Sequence, residues 1–437
     1  VRRLFCILML LASPWAWAEM DLKEAFERAL QVDPALQASR QELLGLEEVV
    51  PQARAALLPN VSASASRNRV WLDREELGVS SASKYFSQNN TLVVRQPLWR
   101  RPQWVQLEQA RTQAGTAEFV RRRAQADLLV RLSAAYFDLL YAERTLEFVA
   151  AVATASVQQL RSARRVFELG QGTRTDIDEA QARYDQAQAQ SVQARQNRDY
   201  ARRQMALLVG QEVLSLKSAR VESAVPPQIT GSLDDWLALA RSGNADLQLA
   251  RARLALAELE VRRAQAGHDP TLDLIGQRSL SKSENTQFPN SSYDTTQIGL
   301  QLNLPIFAGG AVSSAVRQAV ANREREAFVV EQVSNDLTLK IQREVHSLQE
   351  GEDRLRAARQ ALLSAAQLVV STTKGVQAGT RTVLDTLNAA QREAEVRREL
   401  ALVHYQLQLS RLRLAALCGE DLLASAEQLS RQLQAAP

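Results

Sequence analysis

The chain has 437 residues with only 17 Gly and 12 Pro, so turns are scarce and helices must be long. Aromatic residues make up 5%, which excludes one bulky core and favours many thin helix–helix seams. The 53 basic and 49 acidic residues are intermixed along helical faces, as on solvated coiled coils, so a formal charge of +4 does not imply nucleic-acid binding.

Residues 1–18 read as a secretory signal peptide. Arg2 and Arg3 give the positive start, Leu4 to Ala12 the apolar stretch, and Ala16-Trp17-Ala18 the cleavage site. That apolar run is too short for a spanning helix of about 20 residues, and no later stretch qualifies. The expected mature chain, from Glu19, is exported without a helical anchor or a lipid-anchor cysteine. Cys6 leaves with the signal, and Cys418 then has no partner.

A first helix is expected over 21–57, opened by Asp21 with Glu24 at capping-box spacing and kinked or broken at Pro34 and Pro51. Strands follow at about 59–72 and 88–99, around a Ser-rich loop. Pro102 suits the first turn of a very long helix over 102–168, about 100 Å at 1.5 Å per residue. From Leu128 through Leu132, Ala135, Leu139 and on to Phe167, apolar positions recur in alternating steps of four and three. This 3.5-residue period implies left-handed supercoiling. Gly170 and Gly172 stop the helix, and Thr175, with Asp178 at cap spacing, starts a return helix that fades near Gly210. A linker over 211–231, carrying Pro226-Pro227, is expected to form a belt partway along the shaft.

The pattern then repeats, about 210 residues on. Leu36, Pro59, Pro97, Trp99 and Gly172-Thr173-Arg174-Thr175 meet Leu247, Pro270, Pro305, Phe307 and Gly379-Thr380-Arg381-Thr382. The repeats occupy 19–210 and 232–420, with a tail over 421–437. Strands are expected at about 270–282 and 294–307, and the second long seam runs from Leu337 and Ile341 to Val376, interrupted at Glu344 and Gly351.

The stretch Gln297 to Ile306 alternates polar and apolar residues without a miss, as a strand between lipid and a wet lumen demands. Trp71, Trp99, Phe288, Tyr293 and Phe307 lie at or near strand ends, where interfacial aromatic girdles form. Four strands leave open edges, which hydrocarbon does not tolerate, so several chains must share a barrel. Two copies would give eight strands and three would give twelve; the pattern does not choose. His268, His346 and His404 stand at no metal-ligand spacing, and neither a phosphate-binding GxxxxGK run nor a nucleophile–base–acid set is present, so no cofactor and no catalysis are expected.

At Pro305-Ile306-Phe307-Ala308-Gly309-Gly310, at His268-Asp269-Pro270-Thr271-Leu272-Asp273-Leu274 and at Ala378-Gly379-Thr380-Arg381-Thr382-Val383-Leu384-Asp385, the chain resembles the TolC family of outer-membrane efflux proteins. The likeness runs from about residue 20 to 420, and is closer to the members that serve as exit ducts for both type I secretion and drug efflux than to lipid-anchored drug-efflux members. The resemblance implies a mainly α fold with membrane β. Three chains would build a twelve-stranded barrel in the outer membrane of a Gram-negative bacterium, continuous with a coiled-coil tunnel through the periplasm. It further implies a periplasmic adaptor (membrane fusion) protein and an inner-membrane ABC or proton-driven transporter, since the chain has no energy source of its own.

Also by resemblance, the tips at Gly170, Gly172, Thr173, Gly379 and Thr380 would dock the adaptor. Asp385 matches an acidic ring at the tunnel's narrowing, Arg381 and Asp176 match partners in polar ties that hold it shut, and Gln159 falls where a tie-forming glutamine sits. Asn388 replaces a second acidic ring residue and Val376 a tyrosine of a tie, implying a less negative, more loosely latched gate. The plainer reading of Thr382 with Asp385 is a helix N-cap. A different class of function, a periplasmic coiled-coil scaffold or adaptor without a pore, would have no use for lipid-facing strands.

Overall fold

A computed structural model of the chain describes residues 19–217, 231–283 and 291–434. The proposed signal peptide, Phe288 and Pro226-Pro227 lie outside the described residues. In chain order come α1 (Leu22–Val32), α2 (Pro34–Ala55), β1 (Asn60–Glu76), β2 (Val79–Trp99), α3 (Arg101–Gly115), α4 (Ala117–Glu168) and α5 (Arg174–Val209). There follow α6 (Leu233–Gly243), α7 (Ala245–Gln265), β3 (Thr271–Ser283), β4 (Ser291–Asn303), α8 (Ala311–Gln377), α9 (Val383–Cys418) and α10 (Leu422–Gln434). The chain is thus mostly helical with one antiparallel sheet. It divides into two compact units, one drawn from 1–39, 122–245 and 335–437, the other from 40–121 and 246–334.

In the first unit, α4 is buried nearly all round between Leu128 and Leu140, and Tyr136 is fully enclosed. Its hydroxyl donates to the Lys217 carbonyl at 2.6 Å and to that of Met20 at 3.3 Å, while Met20 and Leu216 form a parallel bridge. The stretch after α5 is therefore laid against the start of the chain and the flank of α4. Farther along, α5 buries Ala180, Ala187, Ala194 and Ala201, a small residue every seventh position. On α9, burial drives the His404 imidazole down to about 4, so it is neutral at ordinary pH.

In the second unit the sheet order is β1-β2-β3-β4, every pair antiparallel. Directly opposed residues share a face. One face carries Val61, Ala63, Leu92, Val94, Leu272, Leu274, Ile298, Leu300 and Leu302. Its β4 members are open to solvent in the single chain, Ile298 at 78% and Leu302 at 67%. The opposite face carries Ser62, Ser64, Asn89, Thr91, Gln277, Ser279, Gln297 and Gln301. At the sheet's base Arg100 grips Asp273 through two parallel hydrogen bonds, Nε to Oδ1 being 2.8 Å.

Several expectations are corrected. The break expected at Pro34 is present, because Pro34 supplies no N–H and takes the first position of α2, but the one expected at Pro51 is not: α2 runs through it. The helix expected over 102–168 is interrupted at Thr116, whose hydroxyl donates to the Gln113 carbonyl at 2.7 Å in competition with the helical ladder. The Ser-rich loop is strand. β1 and β2 stay paired to Glu76 and Val79, and only Leu77 and Gly78 turn the chain, with φ of 54° and 79°. Two positive φ values define the primed hairpin turn that matches strand twist. β4 ends at Asn303, ahead of Pro305, which cannot donate to a ladder. On α8 the gap read at Glu344 is filled by Val345, which is buried.

Candidate functional site at the helix-hairpin tips

Two helix hairpins, α4–α5 and α8–α9, turn by the same device. Gly170 and Gly379 adopt φ of 71° and 72°, a conformation that costs a glycine nothing. The next N–H reaches back five residues in each case, Gln171 to the Val166 carbonyl at 3.0 Å and Thr380 to that of Gly375 at 2.9 Å. Carbonyls left open at the end of a helix are thereby satisfied.

Each return helix opens with a reciprocal cap. The Asp176 carboxylate accepts from the Thr173 N–H and hydroxyl, both at 2.8 Å, while Thr173 Oγ1 accepts from the Asp176 N–H at 3.2 Å. Asp385 and Thr382 repeat this at 2.9, 2.9 and 3.2 Å. The start expected at Thr175 is thus corrected to Thr173. Thr175 lies inside α5, and the two GTRT runs are two residues out of structural register: Thr173 corresponds to Thr382, and Gly170, rather than Gly172, to Gly379. Thr173–Asp176 and Thr175–Asp178 share the three-residue spacing, and the reciprocal hydrogen bonds form at Thr173.

These hydrogen bonds set the local electrostatics. The Thr382 backbone N–H first, its hydroxyl second and the Arg381 charge in addition hold the Asp385 carboxyl below the usual carboxylate range. Asp176 is held down the same way by Thr173. Both are therefore anionic at any physiological pH. The Arg381 stem folds over Gly375, where an added Cβ would lie 2.7 Å from Arg381 Cγ. Gly172 lies against Val166 and Phe167, and Val376 accepts from the Gly379 N–H at 3.0 Å within the α8 terminus.

Of the other expected site residues, Gln159 on α4 and Asn388 on α9 line one polar groove of about 380 Å³, together with Arg183, Gln186, Gln190 and Gln391. Among the described residues no hydrogen bond or ion pair joins Gln159, Asp176 and Arg381 to one another. Sequence reasoning missed the glutamine-rich wall of this groove on α5, although the alanine at every seventh position of α5 marks the seam from which those glutamines project. No grouping of described residues could hold a metal, and no described helix is long and apolar enough to cross a membrane.

Comparison with known proteins gives the family. The family described as "Outer membrane efflux protein" matches residues 25–211 and 236–420. The chain is 30% identical to the proteases secretion protein PrtF of Dickeya chrysanthemi over 96% of its own length and 92% of the relative's. It is 31% identical to the alkaline protease secretion protein AprF of Pseudomonas aeruginosa, covering 92% of this chain and 85% of AprF. Among solved structures, the Campylobacter jejuni CmeC outer membrane channel superposes with a TM-score of 0.79 at 16% identity, over 95% of this chain and 90% of that one. The Vibrio cholerae outer membrane protein VceC gives 0.72 at 21% identity, over 92% and 96%.

Proposed function

Because the chain belongs to the outer membrane efflux protein family, we propose that three copies form a passive, gated conduit whose four strands apiece close a twelve-stranded barrel. The protein is an outer-membrane exit duct for secretion or efflux in a Gram-negative cell. The observation that carries the shared barrel is the sheet itself. It has one aliphatic face, one Ser/Asn/Gln face, and two outer edges, β1 and β4, without partners among the described residues. Lipid accepts such a sheet only when neighbours complete it.

The helical hairpins then form the periplasmic shaft. Their tips, at Gly170, Gly172, Thr173, Gly379 and Thr380, meet a periplasmic adaptor, behind which an inner-membrane transporter supplies energy. PrtF and AprF are named for protease secretion, which supports a protein cargo delivered through a type I system. Three symmetry-related Asp385 carboxylates ring the narrow end, and Arg381, Asp176 and Gln159 tie neighbouring hairpins together. With Asn388 and Val376 in place of stronger partners, the latch is light. A charge ring at a constriction selects cations.

Single-channel recording in planar bilayers tests the gate. Asp385→Ala should weaken divalent-cation block and cation preference, and Arg381→Ala should raise the resting conductance several-fold. Currents unchanged in both variants would dismiss it.

A further inference from the structure

The aliphatic face of the sheet changes character toward the β1–β2 turn. Beyond Val61, Ala63 and Ala65, the next residues of β1 on that face are Arg67, Arg69 and Trp71. Across the ladder Arg67 faces Gln88, which in turn faces Lys282 of β3, while Arg69 faces Phe86 and Trp71 faces Lys84. Four cations and two aromatic rings therefore share one face. The Arg67 guanidinium carbon lies 4.8 Å from the Phe86 ring centre, and that of Arg69 lies 5.7 Å from Phe86 and 5.4 Å from Trp71. These cation–π contacts restrain the guanidiniums, whose N–H groups can still donate.

Arg67, Arg69, Lys84 and Lys282 are exposed and have no ion-pair partner among the described residues. Arg278, on the same face, differs: Asp294 neutralises it at 2.9 Å. The carboxylates of this face on β1, Asp73 and Glu75, come only beyond Trp71. Charge is thus sorted along the strand, with aliphatic residues first, cations with rings next and acids last.

The level of the cations identifies what meets them. Arg69 is nine residues from Asn60, or about 30 Å along a strand. A tilt of about 40° reduces this to about 23 Å of height, the edge of an apolar band about 25 Å tall. The helices attach at the opposite strand ends, so this edge is the one away from the periplasm. We infer that Arg67, Arg69, Lys84 and Lys282 form a binding site for the phosphate groups of a phosphorylated glycolipid in the outer leaflet, with Phe86 and Trp71 against its sugar–acyl boundary. The inference rests on the lipid-facing reading of this face proposed above. Guanidinium groups suit phosphate because their paired N–H donors match two of its oxygens. A soluble phosphate would have no use for rings continuous with an aliphatic surface.

The test uses the full mature chain, reconstituted into nanodiscs of phosphatidylcholine. The discs are doped with bis-phosphorylated lipid A or with its dephosphorylated form, and lipid retained after detergent release is counted by native mass spectrometry. The wild type should keep several-fold more of the phosphorylated lipid, and excess inorganic phosphate should not displace it. A variant with Arg67→Gln, Arg69→Gln and Lys84→Gln should lose that preference, whereas Arg95→Gln, on the opposite face, should keep it. Equal retention of the two lipids by the wild type overturns the phosphate site while leaving the barrel intact, and so does displacement by free phosphate. A wild-type chain that enters no nanodisc overturns the barrel and the site together. Should the triple variant fail to assemble, the wild-type comparison still decides.

Discussion

The Asp385 carboxylate engages Thr382 through Oδ2 alone, so one oxygen serves the helix start while the other can face a lumen. Cap and gate therefore separate by substitution. Asp385→Asn keeps an acceptor for the Thr382 N–H but removes the charge, whereas Thr382→Val keeps the charge and removes the reciprocal hydroxyl. If the carboxylate rings the exit, Asp385→Asn should lose divalent block at nearly unchanged helicity. Thr382→Val should lower the thermal midpoint while retaining block. Both would be read by bilayer recording beside far-ultraviolet circular dichroism, and the opposite pattern would reduce Asp385 to a cap. Because the folded carboxyl titrates below its ordinary value of 3.8, the unfolded chain takes up its proton first on acidification. The cap's contribution is thus whole above that value and lost only as pH falls through the lowered one. The Thr–x–x–Asp spacing made the cap legible in the second copy, Thr382 with Asp385, whereas in the first the motif match placed it at Thr175 with Asp178, two residues too far. The reciprocal hydrogen bonds, set by Asp176, decide the register instead.

At the scale of elements, the two copies solve the same crossing with different residues. In the first, the α5 end at Gly210 meets Val32 of α1; in the second, Gly419 after α9 meets Gly243 of α6. A Cβ on Gly243 would stand 2.1 Å from the Cys418 carbonyl oxygen, which is backbone and cannot swing aside. The crossing is further tied by Asn244 Nδ2, which donates to the Leu417 carbonyl at 2.9 Å. Gly243→Ala should therefore destabilise the protein by about 1–3 kcal/mol. Gly45→Ala, inside α2 with open space around it, should stabilise it by about 0.5–1 kcal/mol. Denaturant midpoints of opposite sign would establish the crossing as a packing constraint; equal shifts would remove it. Helix periods and strand alternation were readable because they record which side faces apolar surroundings. The hairpin turn was not, since Leu77 is an unusual residue at positive φ and the serines before Lys84 look like loop, though they lie in a paired strand. Nor could periodicity reveal that Thr116 would divide a helix, because its hydroxyl competes with the backbone locally.

For the whole molecule, the decisive quantity is how many chains close the cylinder. β1 presents its free edge along 17 residues and β4 along 13, so in the proposed barrel a neighbour's β4 would pair with β1 in a head-to-tail ring. Such an interface closes only at a number set by sheet curvature, which one chain's strand pattern does not encode. Cysteine chemistry counts it directly. The native Cys418 is buried and its thiol pushed up to about 12, so it stays inert at neutral pH. Ser62→Cys on β1 can be combined in turn with Gln297→Cys, Gln301→Cys or Asn303→Cys on β4, all on the polar face. In the register that pairs, mild oxidation should link neighbours into species of two and three chains and no larger. A closed three-chain ring should then migrate faster than a linear trimer under denaturing electrophoresis. A fourth rung would exclude twelve strands. Failure of every combination to link, in membranes where the protein is inserted, would mean that β1 and β4 do not meet at all.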